Sequence, residues 1–298
     1  MLDYASLSAL AAVIREGSFD RAAARLGITP SAISQRVRGL EERLGTILVV
    51  RGQPCAPTDT GRALCTHVDK VELLEADLAP ILSPQGLGAS AIPTLKIAVN
   101  ADSLATWFPA AAARFAEATG LLLDLTLDDE GHTADRLRAG EVLAAVTADP
   151  EPVQGCKTML LGELRYAACA SPAFMARYFS NGVSADTLAT APCLRFDRRD
   201  GLQARWAMAA YGIALTAPAH WVPSTQGFLD LALAGLGWGM QPVSMAHSHI
   251  QDGRLVELPP GQTIGVKLYW TATRLHAGAL HALTDAVRRA ARDGLIPA

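Results

Sequence analysis

Ser31, Ser34, Gln35 and Arg38 fall at i, i+3, i+4 and i+7, so a helix through them carries one stripe of small hydrogen-bonding groups and a guanidinium. Thr29 and Pro30 just before them have the types of an N-cap and a first-turn proline, which puts the stripe at a helix N-terminus. Arg36 flanks it, and Arg51 follows at the tip of a turn. Short polar groups on the first turns of an exposed helix have the size and the donor–acceptor mix to read base edges in a DNA major groove. Arg51 would reach phosphate or the minor groove. The competing reading is the solvated face of an ordinary three-helix bundle, and on these helices alone the two are comparable.

Other chemistries are poorly served. The chain has no GxSxG, GxxxxGKS/T or HExxH. Gly235-Leu236-Gly237-Trp238-Gly239 lies between a helix and a strand rather than after a strand, so it reads as a helix-ending turn and not a dinucleotide loop. Cys55, Cys65, Cys156, Cys169 and Cys193 show no CxxC pair or zinc-type spacing and are expected to be bland or buried thiols. His247 and His249 lie near His220, but residues two apart share a face only on a strand, and no acid or thiol at ligand spacing joins them; a surface loop is expected. An enzyme is therefore not indicated, and no cofactor or metal is expected.

The reading stripe needs a scaffold, and the sequence supplies one. Residues 2–16 place Leu7, Leu10, Ala11 and Ile14 at helical spacing. Ser18 opens a second helix with Phe19, Ala22, Ala23 and Leu26 on one face, closed by Gly27. The third runs from Thr29 to Gly45 with Ile33, Val37, Leu40 and Leu44 as its apolar face. "TILVVRGQPCAPT" then reads as a short hairpin, or wing, with Arg51 at its tip. A longer helix over residues 58–82 carries Leu64, Val68, Val71, Leu78 and Leu82 near heptad positions, interrupted at Glu75; such a stripe must be buried, and a second subunit is the natural partner.

Half of the 298 residues are apolar and 18% are charged, a balance that excludes a disordered chain. The net charge is −3, yet residues 1–62 hold eight arginines against six acids, and DNA affinity follows local phosphate contacts rather than the whole-chain charge. No apolar run approaches the ~20 residues that span a bilayer. The first 15 residues lack the pattern of a secretory signal, so a cytoplasmic location is expected and a membrane partner is not. Residues 83–93, "SPQGLGASAIP", read as a hinge. Beyond it, strand-like "TLKIAV", "LLLDLTL" and "VLAAVTA" alternate with helical segments, which argues for a parallel α/β sheet.

"SFDRAAARLGITPSAISQRVRGLEERLGTILVVRG" closely resembles the N-terminal domain of LysR-type transcriptional regulators. "NADSLATWFPA", "RLRAGEVLAAVT", "YFSNGV" and "LYW" extend the likeness over essentially the whole chain and into the ArgP branch, whose members sense lysine and arginine. The resemblance implies an N-terminal all-α winged helix-turn-helix over residues 1–60, a linker helix and hinge over 61–90, and an α/β effector domain over 91–298. That domain would comprise two Rossmann-like lobes, as in a periplasmic binding protein: lobe 1 over 91–163 and 267–298, and lobe 2 over 164–266. The lobes would be joined by crossovers near 162–168 and 263–267.

The implied partners are double-stranded promoter DNA, a second copy paired through the linker helix to give a dimer and then a tetramer, and, as a further candidate, RNA polymerase. An amino-acid exporter gene is the implied target. The recognition helix departs from the common family pattern at Pro30, Gln35 and Arg36, whereas Thr29, Ser31 and Ser34 transfer.

Ligands of such folds bind between the lobes, at strand ends and helix N-termini. Asn100, Asp102 and Ser103 follow the first strand; Asp128, Asp129 and Glu130 follow the second and would attract a cationic group; Thr147 follows the third. Lobe 2 offers Phe196 and Asp197, then Ser224, Thr225 and Gln226. Gln226 stands where the family pattern implies a carboxylate, which removes one partner for a ligand amine. The alternatives are a regulator responding to another small metabolite, and a solute-binding receptor, which the absent signal and the attached DNA-reading segment oppose.

Overall fold

The computed structural model describes residues 3–82, 92–127 and 133–298. Asp3 accepts the Ala5 N–H at 3.0 Å and caps α1 (Tyr4–Glu16), so the first helix starts at Tyr4 rather than at residue 2. α2 (Phe19–Leu26) and α3 (Pro30–Leu44) end, as their spacing predicts, at Gly27 and Gly45, both left-handed with φ 65°. β1 (Val49–Val50) and β2 (Ala56–Pro57) pair antiparallel as the wing, and α4 (Asp59–Leu82) follows.

Leu7, Leu10, Val13, Ile33, Val37, Leu40 and Leu48 form a closed core beneath these helices. Leu44, expected on that face, is 42% exposed: it is the last residue of α3, one turn beyond Leu40. The apolar stripe of α4 is divided rather than continuous. Val68 is buried against the core of the three N-terminal helices with Leu64 packed beside it, Leu78 is exposed, and Leu73, outside the stripe, is buried in the core of the α/β part.

The α/β part runs β3 (Thr94–Val99), α5 (Ala101–Ala105), α6 (Phe108–Thr119), β4 (Leu122–Leu127), α7 (Thr133–Ala139) and β5 (Ala144–Thr147). It continues through β6 (Cys156–Ala170), α8 (Pro172–Tyr178), α9 (Ala185–Thr190), β7 (Cys193–Arg195), α10 (Leu202–Tyr211) and β8 (Ala219–Trp221). α11 (Thr225–Leu233), β9 (Gly239–Pro242), α12 (Val243–Gln251), β10 (Val256–Glu257), β11 (Ile264–Thr273) and α13 (Gly278–Gly294) complete it.

Among the described residues seven strands form one mixed sheet in the order β10–β6–β11–β5–β3–β4, with β9 also on β6. β4, β3 and β5 are parallel, as the alternation predicts. β11 is antiparallel to both β5 and β6. The physical reason is that the 15-residue β6 passes from one lobe into the other without a crossover helix. The segments expected as crossovers are therefore paired strand, Ile264 opposite Tyr166 through Leu268 opposite Gly162, with a bulge between Leu268 and Tyr269.

β3, β4 and β5 with α6 and α13 make the first lobe, centred on Phe108, Phe115 and Trp270. α8 to α12 with β7 to β10 make the second, where the Trp206 and Trp238 rings pack at a tilt of 54° with centroids 5.3 Å apart. His247 and His249 lie on α12, not on a loop. The cysteines are free: Cys156, Cys169 and Cys193 are buried, Cys55 and Cys65 partly so. Burial pushes the Cys65 thiol up to about 11 and Cys169 to about 12, which leaves both protonated and inert.

Candidate functional site

α3, which carries the predicted reading stripe, is held at both ends. Thr29 Oγ1 accepts the Ala32 N–H at 3.2 Å and lies 3.0 Å from Ser31 Oγ, so these two hydroxyls fix the first turn of α3. At the other end Glu41 Oε1 accepts the backbone N–H of Leu48 at 2.8 Å and of Val49 at 3.3 Å, which sets the wing against α3. Thr58 donates to the Ile47 carbonyl, and a Cβ on Gly61 would overlap the Leu48 carbonyl oxygen, so α4 seats against the wing only through a glycine.

On this frame Ser31, Gln35, Arg36 and Arg38 are exposed and Ser34 is half-buried. Among the described residues Gln35 and Arg36 carry no side-chain partner. The Nε of Arg38 lies 3.8 Å from Glu42 in an exposed pair of the kind worth under about 1 kcal/mol, readily exchanged for phosphate. Arg51 stacks over the Phe19 ring at 5.2 Å, so the wing tip is tied to α2 while its guanidinium stays exposed. Arg15 and Arg25, by contrast, are spent in ion pairs with Asp69, Glu72 and Glu16.

The second cluster lies where the lobes meet. Asn100 caps α5 by accepting the Ser103 N–H at 3.0 Å, and the buried Ser103 hydroxyl accepts the Trp107 indole N–H at 3.0 Å. This positions Asp102, from the first lobe, against two hydroxyl donors. Tyr166 of β6 donates to its Oδ2 at 2.6 Å, and Thr225 of α11, in the second lobe, donates to its Oδ1 at 2.7 Å. Burial pushes the Asp102 carboxyl above its ordinary value; the two hydroxyls pull it down, and the nearby Asp200 pushes it up again.

Asp200 is held by the N–H groups of Phe196 (2.8 Å) and Leu202 (3.0 Å) and by Gln203 Nε2 (3.1 Å), while the buried Gln203 Oε1 has no partner among the described residues. A cluster of carboxylates and an unpaired carbonyl is suited to a donor-rich, positively charged ligand group.

The other predicted residues are placed as follows. Thr147 is buried at the end of β5 and accepts the Asp149 N–H at 3.1 Å. Phe196 and Asp197 stand in the turn before Asp200, with Asp197 Oδ1 accepting the Arg199 and Asp200 N–H groups. Ser224 caps α11 through the Gly227 N–H, and the exposed Gln226 amide donates to Asp230 at 2.9 Å, along its own helix. Asp128, Asp129 and Glu130 lie outside the described residues. Tyr166, Asp200 and Gln203 escaped the sequence reading. Tyr166 opens the apolar end "YAACA" of β6, and a hydroxyl heading that stretch was the available signal.

Residues 4–62 match the family described as bacterial regulatory helix-turn-helix protein, lysR family, and residues 89–292 match the LysR substrate binding domain. The chain belongs to the LysR family of bacterial transcription regulators. As a LysR-family protein it is a DNA-binding regulator and not an enzyme. It is 45% identical to the HTH-type transcriptional regulator ArgP of Pseudomonas fluorescens over 300 residues, which cover 100% of this chain and 99% of that one. The crystal structure of ArgP from Mycobacterium tuberculosis superposes on this LysR-family chain with a TM-score of 0.80 at 42% identity, covering 100% of both. Full-length LysG from Corynebacterium glutamicum with bound effector Arg matches with a TM-score of 0.71 at 39% identity, over 99% of this chain and 100% of that one. The fold expected from the sequence, a winged helix-turn-helix followed by a two-lobed effector domain, is thus that of the family. No described helix is long and apolar enough to cross a membrane.

Proposed function

We propose that this LysR-family regulator senses a basic amino acid, arginine or lysine, in the cleft between its lobes, and that the ligand changes how the protein sits on promoter DNA. The observation that carries this reading is Asp102: a carboxylate from one lobe, oriented by Tyr166 on the shared strand and by Thr225 from the other lobe, with Asp200 nearby. Two donors on a carboxylate leave about half its lone-pair sites open, enough to accept an ammonium or guanidinium. A ligand bridging Asp102 and the second lobe binds one arrangement of lobes better than another, which is what allosteric control requires. The arginine bound to LysG of Corynebacterium glutamicum supports the choice of ligand.

Ser31, Ser34, Gln35, Arg36 and Arg38 read the operator on the frame fixed by Thr29, with Arg51 on the backbone or minor groove. The protein acts in the cytoplasm as a dimer paired through the exposed flank of α4, where Leu74 and Leu78 are unburied, and as a tetramer made of two such dimers. Contact with RNA polymerase and control of an amino-acid exporter gene belong to the same proposal.

The test is isothermal titration of the full chain with arginine, lysine, citrulline and glutamine, followed by gel-shift titration of the chain's own promoter region with and without the ligand that binds. Saturable binding of arginine or lysine but not of the neutral analogues is expected. Binding of a neutral metabolite alone, or of none of the four, overturns the sensing role.

A further inference from the structure

Of the five tryptophans, Trp107, Trp206, Trp238 and Trp270 are at most 4% exposed, whereas Trp221, the last residue of β8, is 40% exposed. Core packing therefore accounts for four of the rings but not for this one. Arg198 lies over the Trp221 ring with its Cζ 4.2 Å from the centroid, and Arg195 reaches the same ring at 6.0 Å. Among the described residues neither guanidinium meets an acid, and the buried Arg195 Nε has no hydrogen-bond partner, whereas Arg199 beside them reaches Asp197 at 3.9 Å. Two like charges gathered at one ring leave the negative face of the indole as what attracts them.

The stack has a definite place. β7 and β8 are parallel, Arg195 is opposite Trp221, and the Val222 N–H donates to the Arg195 carbonyl at 2.8 Å. The two strands therefore end on the same side, as ligand-binding strand ends do in α/β folds. One continues through Phe196 to Asp200; the other reaches Ser224 and Thr225 at the start of α11, where Thr225 meets Asp102 of the first lobe. Each exit is tied within itself: Asp200 Oδ2 accepts the Phe196 N–H, and Ser224 Oγ accepts the Gly227 N–H. Past the Val222 bond, Arg198 joins one exit to the other through the Trp221 ring.

We propose that the Arg198–Trp221 stack is a positioning element of the ligand site, which holds the Phe196–Asp200 turn against the entry to α11 and so sets the spacing of Asp200 and Thr225 that a cationic ligand meets. Its consequence for binding rests on the sensing role proposed above; the ordering of the turn does not depend on which ligand fills the cleft. The expected sign is distinctive. Arg198 is a positive charge two residues from Asp200, so by repulsion alone its removal would tighten the binding of a cation. As a positioning residue, its removal weakens that binding.

Three variants of the full chain test the stack: Arg198→Ala, Trp221→Ala and the ring-retaining Trp221→Phe. Without ligand, amide exchange read by mass spectrometry should be at least about threefold faster over residues 196–203 and 221–228 in both alanine variants. α13 should be unchanged, and Trp221→Phe should stay close to the unmodified chain. Acrylamide quenching reads the ring itself, because Trp221 is the exposed one of the five tryptophans, and it should increase in Arg198→Ala. In calorimetry, affinity for arginine and lysine should fall about three- to thirtyfold in either alanine variant, the range of a cation–π contact, and recover in Trp221→Phe. The double alanine variant should lie within about twofold of the weaker single, since both singles break the same contact.

Unchanged exchange and quenching in Arg198→Ala, tighter binding by that variant, or additive losses in the double variant overturn the positioning role. So does a loss in Arg198→Ala that Trp221→Ala does not share, which makes Arg198 a direct ligand contact. Should Trp221→Ala not fold, Arg198→Ala, which removes an exposed side chain, and Trp221→Phe decide. Should no basic amino acid bind the unmodified chain, the sensing role fails while exchange and quenching still decide the stack.

Discussion

Replacing Asp102 by Asn tests the cleft at its centre. The two hydroxyl bonds at 2.6 and 2.7 Å have the length of bonds to an ionised carboxylate. Asn keeps the volume and one acceptor but turns an NH2 toward one hydroxyl and removes the charge a cationic ligand would meet. A hydrogen bond to a charged group contributes about 1.5–3 kcal/mol, so arginine affinity should fall about 10- to 150-fold by calorimetry. The free protein should not lose stability in proportion, because burial already disfavours the charged carboxylate.

The pH dependence has a definite sign. The folded-state value of Asp102 is raised above 3.8, so the native state holds this proton more tightly than the unfolded chain does. Its contribution to stability is full below the unfolded value and is lost as pH rises through the folded one. A cation bound beside it reverses the preference. Arginine binding should therefore release a proton at pH values between the ordinary value of the carboxyl and its raised folded-state value, seen as a binding enthalpy that varies with the ionisation heat of the buffer, and Asp102→Asn should abolish that variation. Arginine affinity of the variant within threefold of the unmodified chain would refute the reasoning, whatever its stability.

Three further outcomes follow from the geometry. Arg38→Ala, which breaks only an exposed pair with Glu42, should weaken promoter binding and reduce the slope of log affinity against log salt by about 1 in gel-shift titrations; an unchanged slope removes Arg38 from the phosphate contacts. Gly61→Ala forces a methyl against the Leu48 carbonyl and should cost about 1–3 kcal/mol in denaturant unfolding of the DNA-binding part, with weaker promoter binding, while arginine binding is retained. Phe115→Ala empties a fully buried site in the first lobe and should cost about 3–5 kcal/mol by the same measurement, and a loss below 1 kcal/mol would mean the lobe repacks.

What could be read from the sequence was local. Gly27, Thr29, Pro30 and Gly45 bound their helices because capping is decided within a turn, Ser18 stands at the N-cap of α2 without a side-chain cap bond, and the i, i+3, i+4, i+7 stripe of α3 follows from helical geometry alone. Leu44 and the α4 stripe were misjudged because burial depends on what lies opposite. Leu73 is covered by a lobe that periodicity along α4 does not report, while Leu78 at a heptad position is left bare. The cleft shows the same limit. Asp102 and Thr225 were placed individually from strand ends and caps, but their meeting across 123 positions, and the part played by Tyr166, need the register of β6 against β11.

That register bears on how a signal could leave the cleft. β3 runs from Thr94 to Val99 and delivers Asn100, the cap of α5, to the cleft. β3 is bonded on both sides, to β4 and β5, so it cannot lengthen, slip or twist alone without breaking two ladders. The second lobe is different: it reaches the sheet through β6 and β11, two long strands that share a bulge between Leu268 and Tyr269 near Gly162, the one place where the ladder is already interrupted. Glu163 beside it exchanges two backbone hydrogen bonds with Ile296, so the C-terminal segment braces the bulge. A ligand that pulls Thr225 relative to Asp102 would therefore shift the second lobe against the first through β6 and β11, the two long strands that join them.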